Sequence, residues 1–225
     1  MTAAAPLAER TAPPAEWLAL AAEDLRALAW LHAEERSPDV LAALFGNGFP
    51  ETLTLATPDT PAAQAMYAAL RALAGDDCDG TPAEGALPAS SADDLAADYA
   101  AIYLTHALRA SPHESVWRDD DHLMLQGPTF AVRDFYRRHG MQVPDWRARA
   151  DDHITHELEF TALLLERGEQ REAARFLKTH LLAWLPDFAR RVGQRAATPF
   201  YAALGALTLA ACEECQRRLP AVAVI

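Results

Sequence analysis

The balance between helix-forming and strand-forming residues constrains this chain more than any single motif does. Of its 225 residues 49 are alanine, whereas valine and isoleucine together number ten. Alanine is the best intrinsic helix former, and β-branched residues are the ones that suit a pleated sheet. A large sheet is therefore excluded and an all-α fold is expected. The length suffices for one large domain with a substantial buried core.

Charge narrows the class of partner. Lys plus Arg number 20 against 32 Asp plus Glu, a formal net charge of −12. Residues 1–110 hold 5 cations and 16 anions, and residues 111–225 hold 15 and 16. A chain this acidic, without a basic tract, binds phosphate backbones and anionic lipid poorly, so neither nucleic acid nor stable membrane insertion is expected. A cationic partner suits it better. Met1–Pro14 has no apolar run of the kind a secretion signal carries and reads as a loose tail. The charge-free stretch Ala196–Cys212 is short for a membrane span and reads as a buried helix. Cys78, Cys212 and Cys215 do not suggest a disulfide framework. Together these features predict a cytoplasmic protein.

Helical periodicity organises most of the chain. Leu18, Ala22, Leu25 and Ala29 mark a helix over 15–35. Ser37-Pro38 starts a second, which stops near Gly46, and a third covers about 61–74. Residues 75–90 carry turn chemistry. Ser91 caps a helix reaching about His106, with Asp93 and Asp94 in its first turn. Residues 108–125 lack a helical period, a helix runs from Pro128 to Gly140, and 141–150 is a connector containing Pro144. Three helices follow, over 151–167, 169–192 (with Pro186) and 198–219, the last opened by Thr198-Pro199. The expected architecture is a multi-helix bundle of nine or ten helices. It forms either one body or two lobes, about 15–140 and 151–219, joined at 141–150.

Two segments could carry chemistry. In the run from Asp151 to Glu159, helical spacing puts His153, Glu157, Phe160 and Leu164 on one arc beside the stripe Ile154, Leu158, Thr161 and Leu165. Glu157 therefore points at packed surface and needs a partner, His153 or an Arg from another helix. Asp152 and His156 form a second i, i+4 pair. These four residues permit a metal-dependent helical enzyme, a His–Glu acid/base pair or a polar network that fixes helices. The spacing matches neither HExxH nor paired ExxH, no nucleophile motif accompanies it, and capping alone accounts for Asp151 and Asp152. The second segment, Ser111 to Trp117, mixes an acid, a hydroxyl and an aromatic. Glu114 and Trp117 could hold a peptide through a carboxylate–Arg contact and an aromatic anchor. Cys212 and Cys215 form one CxxC on a helix, a weak redox or zinc signal beside the simpler reading as core residues; His180 and Trp184 also read as core.

Taken in order, these pieces resemble a family, the TorD/DmsD/NarJ-like chaperones dedicated to complex iron–sulfur molybdoenzymes. The resemblance covers roughly 91–210. It is carried by Glu114-Ser115-Val116-Trp117, by Asp152-His153 followed by Glu157-Leu158, and by His180-Leu181-Leu182-Ala183-Trp184 with Pro199-Phe200-Tyr201 and Leu204. Where many members have Leu-Phe-x-Gly before the loop, this chain reads Ile102-Tyr103-Leu104-Thr105, and His113 replaces a common aromatic.

The resemblance implies a non-enzyme without a resident cofactor. Such a chaperone binds the twin-arginine signal peptide of an apo molybdoenzyme catalytic subunit and holds the subunit for molybdopterin insertion before export. A variant of this reading is a family member serving a non-exported subunit. Adjacent arginines beside an apolar stretch call for carboxylates beside an apolar groove. The expected peptide-binding residues are Tyr103, His113, Glu114, Ser115, Val116, Trp117, Asp119, Asp120, Asp121, His122, Asp152, His153 and Glu157. The resemblance also extends to weak binding of guanine nucleotide or molybdopterin guanine dinucleotide, and to a monomer or a dimer domain-swapped through 141–150.

Overall fold

In the computed structural model, which describes residues 12–75, 91–107 and 109–222, several helices begin where a side chain can satisfy a free N–H group. Helix α1 (Ala15–Ala33) buries the stripe Leu18, Ala22, Leu25 and Ala29. α2 (Pro38–Gly46) is capped by the Ser37 side chain, which accepts from Val40 N–H. α3 (Pro61–Ala74) is capped by Thr60 and ends at Gly75, whose φ of 68° is left-handed. α4 (Ala92–Tyr99) opens on a reciprocal capping box between Ser91 and Asp94. It passes into a π-helical turn, Ala100–Leu104, that places Ile102 and Tyr103 in the core.

A single helical turn, α5 (Glu114–Arg118), precedes α6 (Gly127–Arg138), α7 (Ile154–Glu166), α8 (Gln170–Thr179), α9 (Leu181–Arg195) and α10 (Pro199–Arg218). The described residues thus form an all-α bundle with ten α-helices and no strand. One core runs from Leu18 to Leu219. α1 packs chiefly on α7, and α3 on α10, so helices from both sides of the 141–150 connector interleave. Gly205 allows α10 to approach α9 closely, since a β-carbon there would sit 3.4 Å from Ala189 Cα. α10 contains most of the charge-free stretch and buries Phe200, Tyr201, Leu204 and Leu207. No described helix is long and apolar enough to cross a membrane.

Four local expectations are corrected. The 108–125 segment contains α5, one turn too short to display a period; the ion pair between Glu114 and Arg118 spans it. α7 starts at Ile154 rather than 151, with His153 as its N-cap: the ring Nδ1 accepts from Thr155 N–H at 3.2 Å. The expected helix 169–192 is two helices, broken at His180 (φ −116°, ψ −89°), whose ring is held by Glu114. Thr198 sits at the start of α10 without capping it. Its hydroxyl and N–H instead donate to Asp98 at 2.6 and 2.7 Å. The tail expected over 1–14 is described only from residue 12, and the turn segment 75–90, with Cys78, lies outside the described residues apart from Gly75.

Candidate functional site

The two segments singled out in the sequence meet. Ile154 N–H donates to Pro112 C=O at 2.8 Å and Glu114 N–H to Asp152 C=O at 3.0 Å, so the loop lies antiparallel to the approach to α7. Asp152 closes the contact by accepting Ser115 N–H at 2.8 Å on Oδ2. Asp151 accepts two bonds from the Arg133 guanidinium, at 2.7 and 3.1 Å, while Tyr136 Oη donates to its carbonyl. Capping therefore does not explain either aspartate. Asp151 ties α6, and Asp152 ties the loop, to the start of α7.

Glu114 is fully buried between two cationic or polarisable partners. Arg118 donates to Oε1 at 2.5 Å, and His180 Nδ1 lies 2.9 Å from Oε2. Arg118 also donates to Thr179 C=O at 2.7 Å, so one acid joins α5 to the break between α8 and α9. Glu157 is equally buried, and its partner is neither His153 nor an arginine but the Trp184 indole, which donates to Oε2 at 3.1 Å. Among the described residues its Oε1 and Asp152 Oδ1 have no hydrogen-bond partner. Burial, then the neighbouring Glu114 and Asp152 carboxylates, push the Glu157 carboxyl well above the usual carboxylate range.

The histidines of the site are pushed the other way. Burial lowers His113 to about 4, partly offset by Asp152, and lowers His153 well below its ordinary value, helped by His113. The two rings meet edge to face at 4.9 Å. A neutral His153 ring is what its capping role needs, because a protonated Nδ1 cannot accept from Thr155 N–H.

Tyr103 turns into the core instead of toward the loop surface. Its hydroxyl lies 2.5 Å from His32 Nδ1, while His32 Nε2 lies 2.9 Å from the Thr208 hydroxyl. Burial lowers His32 to about 3. Of the expected contact residues, Tyr103, His113, Glu114, Ser115, Asp152, His153 and Glu157 are buried. Val116, Trp117 and Asp119 are partly accessible, and Asp120, Asp121 and His122 are exposed. Trp117 is held by its indole N–H, which donates to Ser111 C=O at 2.8 Å.

The ligand set of the metal-dependent alternative does not converge. Asp152 faces Ser115, Glu157 faces Trp184, and His156 faces Glu159. Among the described residues no group of three or more His, Cys, Asp or Glu side chains could hold a metal ion. Cys212 and Cys215 are buried in α10, where burial pushes the Cys215 thiol up to about 12 and Cys212 further; thiols held protonated are poor nucleophiles and metal ligands.

The sequence reading missed the apolar surface beside the acids. Leu123, Met124 and Leu125 are 54%, 36% and 40% exposed. The available signal was an apolar triplet directly after Asp119-Asp120-Asp121-His122 in a stretch without helical period.

A family model described as nitrate reductase delta subunit matches residues 57–190. The Tat proofreading chaperone DmsD of Salmonella typhi is 32% identical over 114 residues, which is 51% of this chain and 56% of that protein. The chaperone protein TorD of Vibrio cholerae serotype O1 is 32% identical over 130 residues, 52% of this chain and 58% of that protein. The TorD of Vibrio vulnificus is 28% identical over 131 residues, 53% and 61% of the two chains. The matched stretch spans little more than half the length of these curated relatives.

Proposed function

The chain belongs to the nitrate reductase delta subunit family, and on that premise we propose that it is a cytoplasmic, non-catalytic chaperone for an apo molybdoenzyme catalytic subunit. It binds the subunit's twin-arginine signal peptide and holds the subunit for cofactor insertion before export. The names of the DmsD and TorD relatives support the chaperone class.

The observation that carries the client chemistry is the accessible surface after α5. Asp119, Asp120 and Asp121 run directly into exposed Leu123, Met124 and Leu125, with partly accessible Trp117 one turn before them. Carboxylates take guanidinium groups through charge-assisted, often bidentate bonds. The neighbouring apolar side chains take the apolar part of a leader, and a half-exposed tryptophan is a common anchor in such grooves. Glu114 and Asp152 contribute by fixing the loop that displays this surface, and Glu157 by tying α7 to α9.

The test is titration of the full chain with the leader peptide of a candidate client. Replacing Arg-Arg by Ala-Ala in the peptide, and Trp117→Ala in the chain, should each weaken binding by about 1–3 kcal/mol. Affinity unchanged by both substitutions would remove the proposed surface.

A further inference from the structure

The cavity beside Trp117 has a sign opposite to that of the chain. It encloses about 440 Å³, and its wall includes His106, Arg109, Ser111, Trp117, His122 and Arg191, with no carboxylate. In a protein of net charge −12 such a concentration of cationic groups is against the composition. Neither arginine is paired with an acid among the described residues. Arg191 donates to Arg109 C=O at 3.2 Å, and its guanidinium lies 5.5 Å from the centre of the Trp117 ring. Among the described residues the Arg109 guanidinium has no hydrogen bond or ion pair. Two guanidinium groups lining one cavity without an acid repel each other, and an anion bound there offsets that cost.

Two histidines of the wall are held by backbone carbonyls. His106 Nδ1 lies 3.2 Å from Ile102 C=O and His122 Nδ1 lies 2.9 Å from Val116 C=O. A carbonyl only accepts, so each Nδ1 carries a proton, and Nε2 can donate to an anion only when the ring carries both protons. The backbone supports this reading independently. Among the described non-glycine residues, four have positive φ, and three of them line this cavity: His106 at 53°, Arg109 at 49° and His122 at 55°. Residues with a β-carbon rarely adopt that conformation, and such strain collects where side chains must be aimed at a ligand.

We propose that this cavity is an oxyanion site, holding a compact carboxylate or phosphate between Arg109 and Arg191 with the Trp117 ring as its apolar wall. A forked guanidinium matches both groups in two-bond geometry. The volume exceeds that of the oxyanion alone, so it accommodates the molecule that carries the group, either an acidic side chain of a polypeptide or a phosphorylated small molecule. The site is distinct from the acidic strip Asp119–Asp121 and takes the opposite charge. It stands whether or not the client of the preceding section is right.

The experiment follows the Trp117 indole N–H by proton–nitrogen NMR on the full chain, its signal assigned by its loss in Trp117→Phe. Sodium phosphate and sodium acetate are titrated separately against sodium chloride at equal ionic strength. A saturable shift with phosphate or acetate, absent in chloride, is expected. Arg109→Gln and Arg191→Gln should each weaken it at least tenfold, whereas Arg190→Gln, which removes only the surface pair with Asp187, should leave it unchanged. Phosphate tighter than acetate by tenfold or more assigns the natural group as a phosphate, and equal or tighter acetate assigns it as a carboxylate. No saturable shift with either anion, or a shift undiminished in both cavity variants whose spectra remain dispersed, overturns the site.

Discussion

Glu114 and Asp120 are six residues apart and carry the same functional group, yet one is fully buried and the other stands in solvent. Around Glu114 each oxygen has an assigned partner, Arg118 on one side and His180 on the other. Asp152, also fully buried, accepts the Ser115 N–H and so stitches the loop to α7. Among the exposed acids the ties are local, such as Asp121 N–H donating to Asp119 Oδ2 at 3.1 Å. A carboxylate in the interior is worth retaining only when its partners are fixed, and then it acts as a rivet. A carboxylate at the surface keeps its charge available to whatever approaches. The acids that carry the family motif are thus of the first kind, and the acids a cationic partner can reach directly are of the second.

The largest expected break in this contrast comes from removing the rivet. Glu114→Ala leaves both His180 at the helix break and Arg118 without their carboxylate. The expected loss is about 3 kcal/mol of stability or more, as for other buried pairs cut on one side. Denaturant unfolding measures it as a lower midpoint at unchanged slope. A loss below about 1 kcal/mol would mean that α5 is held by its backbone contacts alone and that the two kinds of acid differ in exposure only.

The same contrast explains what was legible in the sequence. Whatever depends on neighbours a few residues away could be read: the stripe of α1, the Ser37 and Ser91 caps, and the span of α3. The interior could be read only as far as burial. Helical spacing put Glu157 against packed surface, but its partner, Trp184, lies 27 residues on, and the sequence offered His153 as the nearer choice. The break at His180 is fixed by an acid 66 residues earlier, inside a stretch whose periodicity is continuous. Tyr103 looked like a loop-facing aromatic because its hydroxyl partner, His32, is 71 residues away. Pairwise bonds across such separations leave no periodic trace in a single sequence.

A smaller effect should appear at the surface. Changing Asp119, Asp120 and Asp121 together to Asn removes charge without touching the buried pairs, so stability should move by no more than about 0.5 kcal/mol. Affinity for a twin-arginine leader peptide should fall about tenfold, near 1.4 kcal/mol. Most of the change should lie in slower association and a flatter salt dependence. Stopped-flow binding at two ionic strengths measures both. Unchanged association and salt dependence would move the cationic contact off this strip.

The smallest effect in acid, and the most specific, concerns Glu157. Its carboxyl is pushed far above its ordinary value of 4.5 by burial and by Glu114 and Asp152, so the folded protein holds the proton where the unfolded chain has released it. In that range the native state binds more protons than the unfolded state, and stability falls as pH rises. Its contribution is complete below about 4.5 and is lost as pH climbs through the raised folded value. Glutamine resembles the protonated acid: it keeps an acceptor for the Trp184 indole and donates from its amide. Glu157→Gln should therefore change stability by less than about 1 kcal/mol near pH 4, where the parent carboxyl is protonated in both states. The difference from the parent protein should grow in the variant's favour as pH rises above 4.5, because the variant has no proton to hold. His32, His113 and His153, whose lowered values make both proteins less stable in acid, are common to the two chains and cancel in that difference. Denaturant unfolding of the pair from pH 4 to 9 gives the curve directly. A flat difference would place Glu157 among ordinary carboxylates, and a difference falling with pH would reverse the sign assigned to its burial.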